Sequence, residues 1–387
     1  MNVSRFTKFT FVLAIVALIA GLSACDQLNQ LFPPPEMEGL PDEILIGVVV
    51  DETGANATGY GIPMKKGFEL ARDHINNSGM LGDSQLKLIV KDDMSSRETT
   101  VDVVDQLINQ YGVSVITGFA VSSQLEQVTQ TAQDSGVVLF SSVSSAPVLE
   151  GRGNFTFRSG LNSSLLNPPL VQATHERFGY ETAATIYLDG DTYSRLSDEA
   201  FRAALDMNGV NVATTEAYPA GDYDAAVTRI SELNPDALFI STLTGDIPEI
   251  MKKARDLMPS VYLIVPELTD IEVAAGAGDA SEGTVTSIGW FIEKDTPGNA
   301  AFIQSYTEAN NGEEPVAWAA QSYATLRILA AAIANTQSIE ATAIQGALAD
   351  TMDFTTILGN FSFDEVGDAV YDPILLTVQN GEFVLFE

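Results

Sequence analysis

The sequence is poor in the residues on which many functional sites depend. Its 387 residues contain one cysteine, two histidines and only 19 lysines and arginines, against 52 acidic residues. A single cysteine cannot form a disulfide within the chain. A formal charge of −33 repels phosphate groups, which excludes nucleic acid as a partner and makes solubility the preferred explanation of the charge. His74 and His175 lie on predicted amphipathic helices without a cysteine or carboxylate at metal-ligand spacing, so no metal site is predicted.

Long hydrophobic runs are absent except near the N-terminus. Two cations precede an uncharged apolar run from Phe9 to Ala20, which is shorter than the roughly 20 residues of a membrane-spanning helix. This layout is typical of a secretory signal peptide and predicts one over residues 1–24, whose removal would leave a formal charge of −35. The tetrapeptide Leu22-Ser23-Ala24-Cys25 resembles a bacterial lipobox, which implies lipidation of Cys25. The alternative is an ordinary signal peptide with an incidental cysteine.

The mature chain is long enough for two domains of ordinary size. Residues 25–41 are polar, contain Pro33-Pro34-Pro35 and are interpreted as a tether. From Ile44 onward, β-branched runs typical of buried parallel strands alternate with amphipathic helices. The alternation predicts an α/β fold of two doubly wound parallel sheets with helices on both faces. Strands are predicted at 44–50, 85–91, 113–119, 137–141, 183–188, 211–218, 237–242 and 261–265, and a terminal hairpin at 374–379 and 382–386.

Motifs for catalysis and cofactor binding are incomplete. Gly54 to Gly59 has the glycine spacing of a phosphate-binding loop, but Tyr60 stands where lysine must contact the phosphates. The segment Gly59-Tyr60-Gly61 lacks the third glycine of a dinucleotide fingerprint, since Met64 occupies that place. Asp92 ends the second strand, where a ribose-binding acid could lie, so a dehydrogenase-like enzyme stays an alternative. The prediction is a protein that is not an enzyme and has no cofactor.

Serine-rich turns follow two predicted strands at their carboxyl ends, where open α/β sheets bind ligands. Ala120-Val121-Ser122-Ser123 follows the strand 113–119, and Ser142-Val143-Ser144-Ser145 follows the strand 137–141. Ser123 and Glu126 fit a capping box, which places Ser122 at the mouth of a helix. Free N–H groups and the positive end of the helix dipole favour a carboxylate there. On chemistry alone, an anion site and ordinary solvated turns both stay open.

These turns belong to a series of segments that match one family in order and spacing. The segments are Ile46-Gly47, Thr53-Gly54, Gly59-Tyr60-Gly61, Lys66-Gly67, Ser122-Ser123, Ser145-Ala146-Pro147, Phe157-Arg158, Pro266-Glu267, Tyr323–Leu326 and Phe363–Asp368. From about Ile44 to the C-terminus, the chain resembles the type 1 periplasmic solute-binding proteins of branched-chain amino-acid ABC transporters. The resemblance implies two lobes joined by three chain crossings, with the ligand in the cleft between them. We expect an N-terminal lobe of residues 42–160 and 291–359, a C-terminal lobe of residues 161–290 and 360–387, and crossings near 160–163, 288–291 and 358–361.

The resemblance also implies the roles of individual residues. The hydroxyls of Ser122 and Ser145 would hold the ligand's α-carboxylate and share its ammonium, and the carbonyl of Val143 and the carboxylate of Glu267 would bind the ammonium. Ser144, in the same turn, is included in the predicted site. The side-chain pocket would be lined by Tyr60, Ala120, Val121, Tyr193, Leu243 and Trp318, although core packing is an alternative for the aromatic residues. Leu243 replaces a common aromatic residue and Trp318 a smaller phenylalanine, which predicts a reshaped pocket.

The expected function is that of an extracytoplasmic receptor of an ABC importer. It would capture a branched-chain or other small amino acid-like ligand by hinge closure and deliver it to ABC permease subunits. The protein would be a monomer that contacts the membrane only through its lipid, on the periplasmic face of the inner membrane or the outer face of the cell membrane. The alternative is a ligand sensor of the same fold that signals to a partner protein.

Overall fold

The computed structural model describes residues 39–387 apart from 148, 150–152 and 271–275. The predicted signal peptide, Cys25 and most of the predicted tether therefore lie outside the described residues. Within the described part, no helix combines the length and the apolar character that crossing a membrane requires. Residues 42–387 form one compact unit.

The first sheet has five parallel strands in the order β2-β1-β3-β4-β5. Its strands are β1 (Glu43–Val50), β2 (Gln85–Asp92), β3 (Val115–Gly118), β4 (Val138–Ser141) and β5 (Thr156–Arg158), and the helices between them are α1 (Ile62–Ser78), α2 (Arg97–Asn109) and α3 (Ser122–Ser135). Strands β3 and β4 are buried along their whole length, as expected for a parallel sheet covered on both faces. On α1, the residues Met64, Phe68, Ala71 and Ile75 form one apolar face at helical spacing, and this face is completely buried.

The second sheet has seven strands in the order β15-β14-β10-β9-β8-β6-β7. The five strands from β10 to β7 are parallel, and the terminal hairpin of β14 and β15 is antiparallel. The strands are β6 (Thr182–Leu188), β7 (Asn211–Tyr218), β8 (Ala237–Ser241), β9 (Tyr262–Ile264), β10 (Val285–Ile288), β14 (Ile374–Gln379) and β15 (Glu382–Leu385), with the helices α4 (Ser163–Phe178), α5 (Thr192–Met207), α6 (Asp224–Leu233) and α7 (Ile247–Leu257).

Between these sheets and the C-terminal hairpin, the chain adds three helices and a small sheet. The helices are α8 (Asn299–Ala309), α9 (Ala317–Thr336) and α10 (Ala341–Ala349), and the antiparallel sheet contains β11 (Phe354–Thr356), β12 (Gly359–Phe363) and β13 (Ala369–Val370). Helix α9 packs on α1 so closely that a Cβ at Gly67 would lie 2.2 Å from the carbonyl oxygen of Ala319. Helix α9 thus packs on a helix that itself contacts β1 and β2 of the first sheet.

The predicted fold class is confirmed. Every predicted strand is present, and the bounds differ from the observed ones by at most two residues. Strands β5 and β10 and the small sheet of β11 to β13 were not predicted, and β5 shows no apolar period because two of its three residues, Thr156 and Arg158, are polar. The buried Thr286 and Ser287 also give β10 a polar sequence.

The lobe boundaries stay a prediction, but ring contacts bear on the third crossing. Phe363 packs on Phe140 and Phe157 of the first sheet, with ring centroids 5.5 and 5.1 Å apart. The Tyr371 hydroxyl donates to the carbonyl of Ser159 at 3.1 Å. The chain then joins the second sheet at Ile374. These contacts favour a crossing near residues 371–373 over the expected 358–361.

Candidate ligand-binding site

The carboxyl ends of the strands in both sheets meet around one cavity. The space there that no atom fills is about 350 Å³, part of which is open to solvent. All eleven residues of the predicted site line it: Tyr60, Ala120, Val121, Ser122, Val143, Ser144, Ser145, Tyr193, Leu243, Glu267 and Trp318. Four lining residues were missed, namely Thr242, Thr244, Ile247 and Pro266. Their position in the sequence could have indicated them, because they follow the carboxyl ends of β8 and β9.

Ser122 lies at the mouth of helix α3, as predicted. Its hydroxyl oxygen accepts a hydrogen bond from the N–H of Ala146 at 3.1 Å, which ties the two serine-rich turns together. The hydroxyl proton is therefore left to donate to another group. The first N–H groups of the helix have no acceptor within the helix and carry its positive dipole end. This corner of the cavity favours a carboxylate.

The predicted capping box of Ser123 and Glu126 is wrong. Helix α3 begins at Ser122, so its third residue is Gln124, whose side-chain oxygen accepts from the N–H of Val121 at 3.4 Å. The carboxylate of Glu126 instead accepts from the hydroxyl of Thr192 at 2.6 Å.

The turn that follows β3 is held in position by close packing of the backbone. A Cβ at Gly118, where φ is +111°, would lie 2.0 Å from the carbonyl oxygen of Val49, so only glycine fits. Phe119 follows with φ +60°, a conformation uncommon for a residue with a side chain. Its carbonyl accepts from the hydroxyl of Ser144 at 3.1 Å. The side chain of Ser144 therefore supports the turn, although the residue lines the cavity.

A buried ion pair holds the second serine-rich turn. Arg158, at the end of β5, makes two hydrogen bonds to Asp368, one of them with Nη2 and Oδ2 2.8 Å apart. Both side chains are 3% exposed. The guanidinium also donates to the carbonyls of Ala146 at 2.7 Å and Ser144 at 3.4 Å. Arg158 thus fixes the backbone on either side of Ser145.

Glu267 brings a carboxylate from the second sheet into contact with this turn. The Ser145 hydroxyl donates to Oε2 of Glu267 at 2.7 Å. Glu267 is 8% exposed and has φ +56°, and its N–H donates to the carbonyl of Ser287 at 2.9 Å. Burial raises the pKa of Glu267 to about 7, although hydrogen bonds from Ser145 and Tyr193 and the charge of Arg158 oppose the shift. A buried carboxylate with so raised a pKa is suited to pair with a cation.

Aromatic side chains form the wall beside these polar groups. The rings of Tyr60 and Trp318 lie 5.5 Å apart at an angle of 35°. Tyr60 accepts at its hydroxyl from the N–H of Thr244 at 3.4 Å, which links this wall to the second sheet. Tyr193 is 6% exposed and belongs to the apolar core cluster around the first sheet. Burial raises its pKa. These residues pack in the core and line the cavity at once.

Asp92 was the remaining residue in support of a dehydrogenase-like enzyme, and the structure gives it a different role. One oxygen of Asp92 accepts from the N–H groups of Glu52 at 3.0 Å and Thr53 at 3.2 Å, and the other accepts from the Thr53 hydroxyl at 2.7 Å. Asp92 therefore holds its own loop. Among the described residues, no group of three or more histidine, cysteine, aspartate or glutamate side chains is placed to hold a metal ion.

The fold and the cavity define a solute-binding protein with its site between two α/β sheets. The family model for periplasmic binding proteins matches residues 43–382, and the chain belongs to that family. The family consists of solute-binding proteins rather than enzymes, and membership implies a location outside the cytoplasm.

Known proteins of similar sequence and structure cover nearly the whole chain. The "Leucine-, isoleucine-, valine-, threonine-, and alanine-binding protein" of Pseudomonas aeruginosa is 26% identical over 372 residues, which are 93% of this chain and 95% of that protein. A branched-chain amino acid transporter substrate binding protein from Streptococcus pneumoniae, in complex with isoleucine, has a TM-score of 0.81 at 23% identity, with 88% of this chain and 97% of that chain covered. A solute binding protein of an ABC transporter from Rhodopseudomonas palustris, in complex with 3,4-dihydroxy benzoic acid, has a TM-score of 0.80 at 19% identity, with coverages of 89% and 95%. These structures establish a type 1 periplasmic-binding-protein fold.

Proposed function

We propose that the protein is the extracytoplasmic receptor of an ABC importer and binds a small amino acid as a zwitterion. The observation that carries this proposal is the contact of Ser145 with Glu267, which brings the helix-mouth serines and a buried carboxylate to one point in the cavity. Ser122 and the N–H groups of α3 would hold the ligand's carboxylate. Glu267 and the carbonyl of Val143 would bind its ammonium. Charge-assisted hydrogen bonds of this kind are about twice as strong as neutral ones.

The relatives support an amino-acid ligand and leave a second class to be tested. Two of the three similar proteins are described by amino acids, whereas the Rhodopseudomonas protein was solved with an aromatic acid that lacks an ammonium. In this chain, Glu267 disfavours a ligand that is only an anion, because two buried negative charges would face each other. Among the residues that the structure describes, no lysine, arginine or histidine lines the cavity to offset them.

Hinge closure of two lobes is the proposed mechanism of capture. The proposed lobes are residues 42–160 with 291 to about 371 and residues 161–290 with about 373 to 387, so only the third crossing differs from the one expected from the sequence. Lys294 supports a hinge beside the second crossing, since its ammonium donates to the carbonyls of Leu358 at 2.8 Å and Asp372 at 3.3 Å. The closed form would be recognised by permease subunits.

Membrane attachment through a lipid on Cys25 completes the proposal. Its support is the lipobox-like sequence, and the tether would let a monomeric receptor reach the permease. No observation on the described residues favours the sensor alternative.

Calorimetric titration tests the zwitterion requirement directly. Leucine, valine, alanine and threonine would be compared with 4-methylpentanoate, which lacks an ammonium, and 3-methylbutylamine, which lacks a carboxylate. We expect binding of at least one amino acid and of neither truncated compound. Tight binding of benzoates or aliphatic acids, with no amino acid bound, would overturn the proposal and keep the fold.

A further inference from the structure

The indole N–H of Trp318 is a buried hydrogen-bond donor without an acceptor. Trp318 is 1% exposed and lines the cavity, and its Nε1 atom has no partner among the described residues. The other tryptophan, Trp290, shows the ordinary situation, since its Nε1 donates to the side-chain oxygen of Asn299 at 2.8 Å. Buried donors in native proteins are nearly always paired, and an unpaired one costs free energy. A ligand atom that accepts this hydrogen bond would remove that cost.

Other polar groups line the same cavity. Thr242 and Thr244 line it beside Leu243. The Tyr218 hydroxyl donates to the carboxylate of Asp246 at 3.0 Å, so the short hydrogen bond between Tyr218 and Thr242 uses the proton of Thr242. The oxygen of Thr242 is thereby left as an acceptor. The residues that line the cavity thus include both a donor and an acceptor, which a purely aliphatic side chain cannot use.

Charge limits which acceptor the ligand can bring. The described residues that line the cavity include no lysine, arginine or histidine, and the carboxylate of Glu267 is already there. A carboxylate on the ligand's side chain would be buried without a cation, which is costly. A hydroxyl or a carboxamide carries no such cost and can both accept from an N–H and donate to an oxygen.

We propose that Trp318 selects amino acids whose side chain carries a neutral hydrogen-bonding group, a hydroxyl or a carboxamide, over aliphatic side chains of the same shape. This inference rests on the proposed amino-acid function and names the substrate class within it. Trp318 determines specificity through its N–H, while its ring also packs against Tyr60.

Isosteric ligand pairs test the inference. Threonine and valine differ by a hydroxyl in place of a methyl group, and asparagine and leucine differ by a carboxamide in place of a branched end. By calorimetry, we expect the polar member of at least one pair to bind about tenfold tighter, the size of one hydrogen bond to a buried group. Trp318→Phe keeps a ring against Tyr60 but lacks the N–H, so it should remove most of that ratio. Glu249→Gln, which changes a surface residue outside the cavity, should leave the ratio unchanged.

A second measurement needs no change at Trp318. The chain has only two tryptophans, so a spectrum of the ¹⁵N-labelled protein contains two indole signals, which Trp290→Phe assigns. The Trp318 indole proton should shift downfield with the polar ligand and not with its aliphatic partner. The inference is overturned if the aliphatic amino acid of each pair binds as tightly as the polar one, or more tightly, and both shift the Trp318 indole signal equally. The amino-acid function stands in that case, because amino acids still bind. If no amino acid binds, the function itself is wrong.

Discussion

Replacing Glu267 by glutamine should change stability and ligand affinity in opposite directions. Burial raises the pKa of Glu267 from 4.5 to about 7 in the folded protein. Because the folded-state pKa is the higher one, the unfolded chain holds fewer protons between these values, and the free energy of unfolding falls as pH rises through that window. Glutamine has no charge to desolvate. The variant should therefore match the parent at pH 4 and exceed its free energy of unfolding at pH 8 by about 3 kcal/mol.

Ligand affinity should fall in the same variant. Glutamine keeps an oxygen that can accept from Ser145, but it leaves a buried ligand ammonium without its ion partner. Truncating one member of a buried charge pair typically costs about 2–5 kcal/mol, which corresponds to a Kd raised roughly 30-fold to several thousand-fold. The parent should also bind more weakly as the pH falls below about 7, because Glu267 must then lose a proton to pair with the ammonium.

Urea denaturation at pH 4, 6 and 8 and calorimetric titration of the best amino-acid ligand measure the two effects. Glu249→Gln is the matched control, since Glu249 pairs with Lys252 on the surface and does not line the cavity. It should leave the affinity unchanged. An affinity of Glu267→Gln equal to that of the parent would refute the ammonium assignment. The reasoning on burial would be refuted if the difference in free energy of unfolding between variant and parent stayed the same from pH 4 to pH 8.

The remaining predictions concern the anchor, closure and the serine-rich turns. Cys25→Ala should give a folded protein that no longer partitions with membranes in detergent phase separation, and unchanged partitioning would remove the anchor. Small-angle scattering should show a smaller radius of gyration with a tight ligand, and an unchanged radius would exclude hinge closure. Arg158→Met should lower the free energy of unfolding by about 3–5 kcal/mol, because Asp368 stays buried without its cation, and a loss under 1 kcal/mol in urea denaturation would contradict this. By titration, Ser122→Ala and Ser145→Ala should each cost about 1–3 kcal/mol of binding, less than Glu267→Gln. The Ser145 change should be the milder, because its hydroxyl already donates to Glu267 in the protein itself.

The sequence predicted the fold well because the long strands carry strong local signals. The β-branched run of β1 and the apolar face of α1 each bury the residues that their patterns indicate. Short strands such as β5 and β10 depend on pairing with neighbours that are distant in the chain, which no local period reveals. The capping box failed for a related reason. Thr192, which is 66 residues away, accounts for the side chain of Glu126.

For the candidate site too, features that depend on residues near each other in sequence could be predicted, and features that depend on distant residues could not. The position of Ser122 at the mouth of a helix, and of both serine-rich turns at the carboxyl ends of strands, could be predicted from residues near each other in sequence. The meeting of Ser145 with Glu267, 122 residues apart, was expected from the family resemblance and not from any pattern. Thr242 and Thr244 were missed because a threonine after a strand is ordinary, and they gain a role only from the cavity between the sheets, where the Tyr60 hydroxyl contacts the N–H of Thr244.

Backbone strain marks the points where the sheets meet the cavity. Phe119 and Glu267 have φ of +60° and +56°, a conformation that sequence reasoning assigns to glycine or asparagine. Each is held by contacts on both sides: Phe119 N–H donates to the Val49 carbonyl at 2.9 Å and its own carbonyl accepts from Ser144, whereas Glu267 N–H donates to the Ser287 carbonyl. Such strain persists only where the surroundings fix it, and it is concentrated at functional sites. The two strained residues direct the helix-mouth turn and the buried carboxylate toward the same cavity, so the fold gives up local stability where the proposed zwitterion would bind.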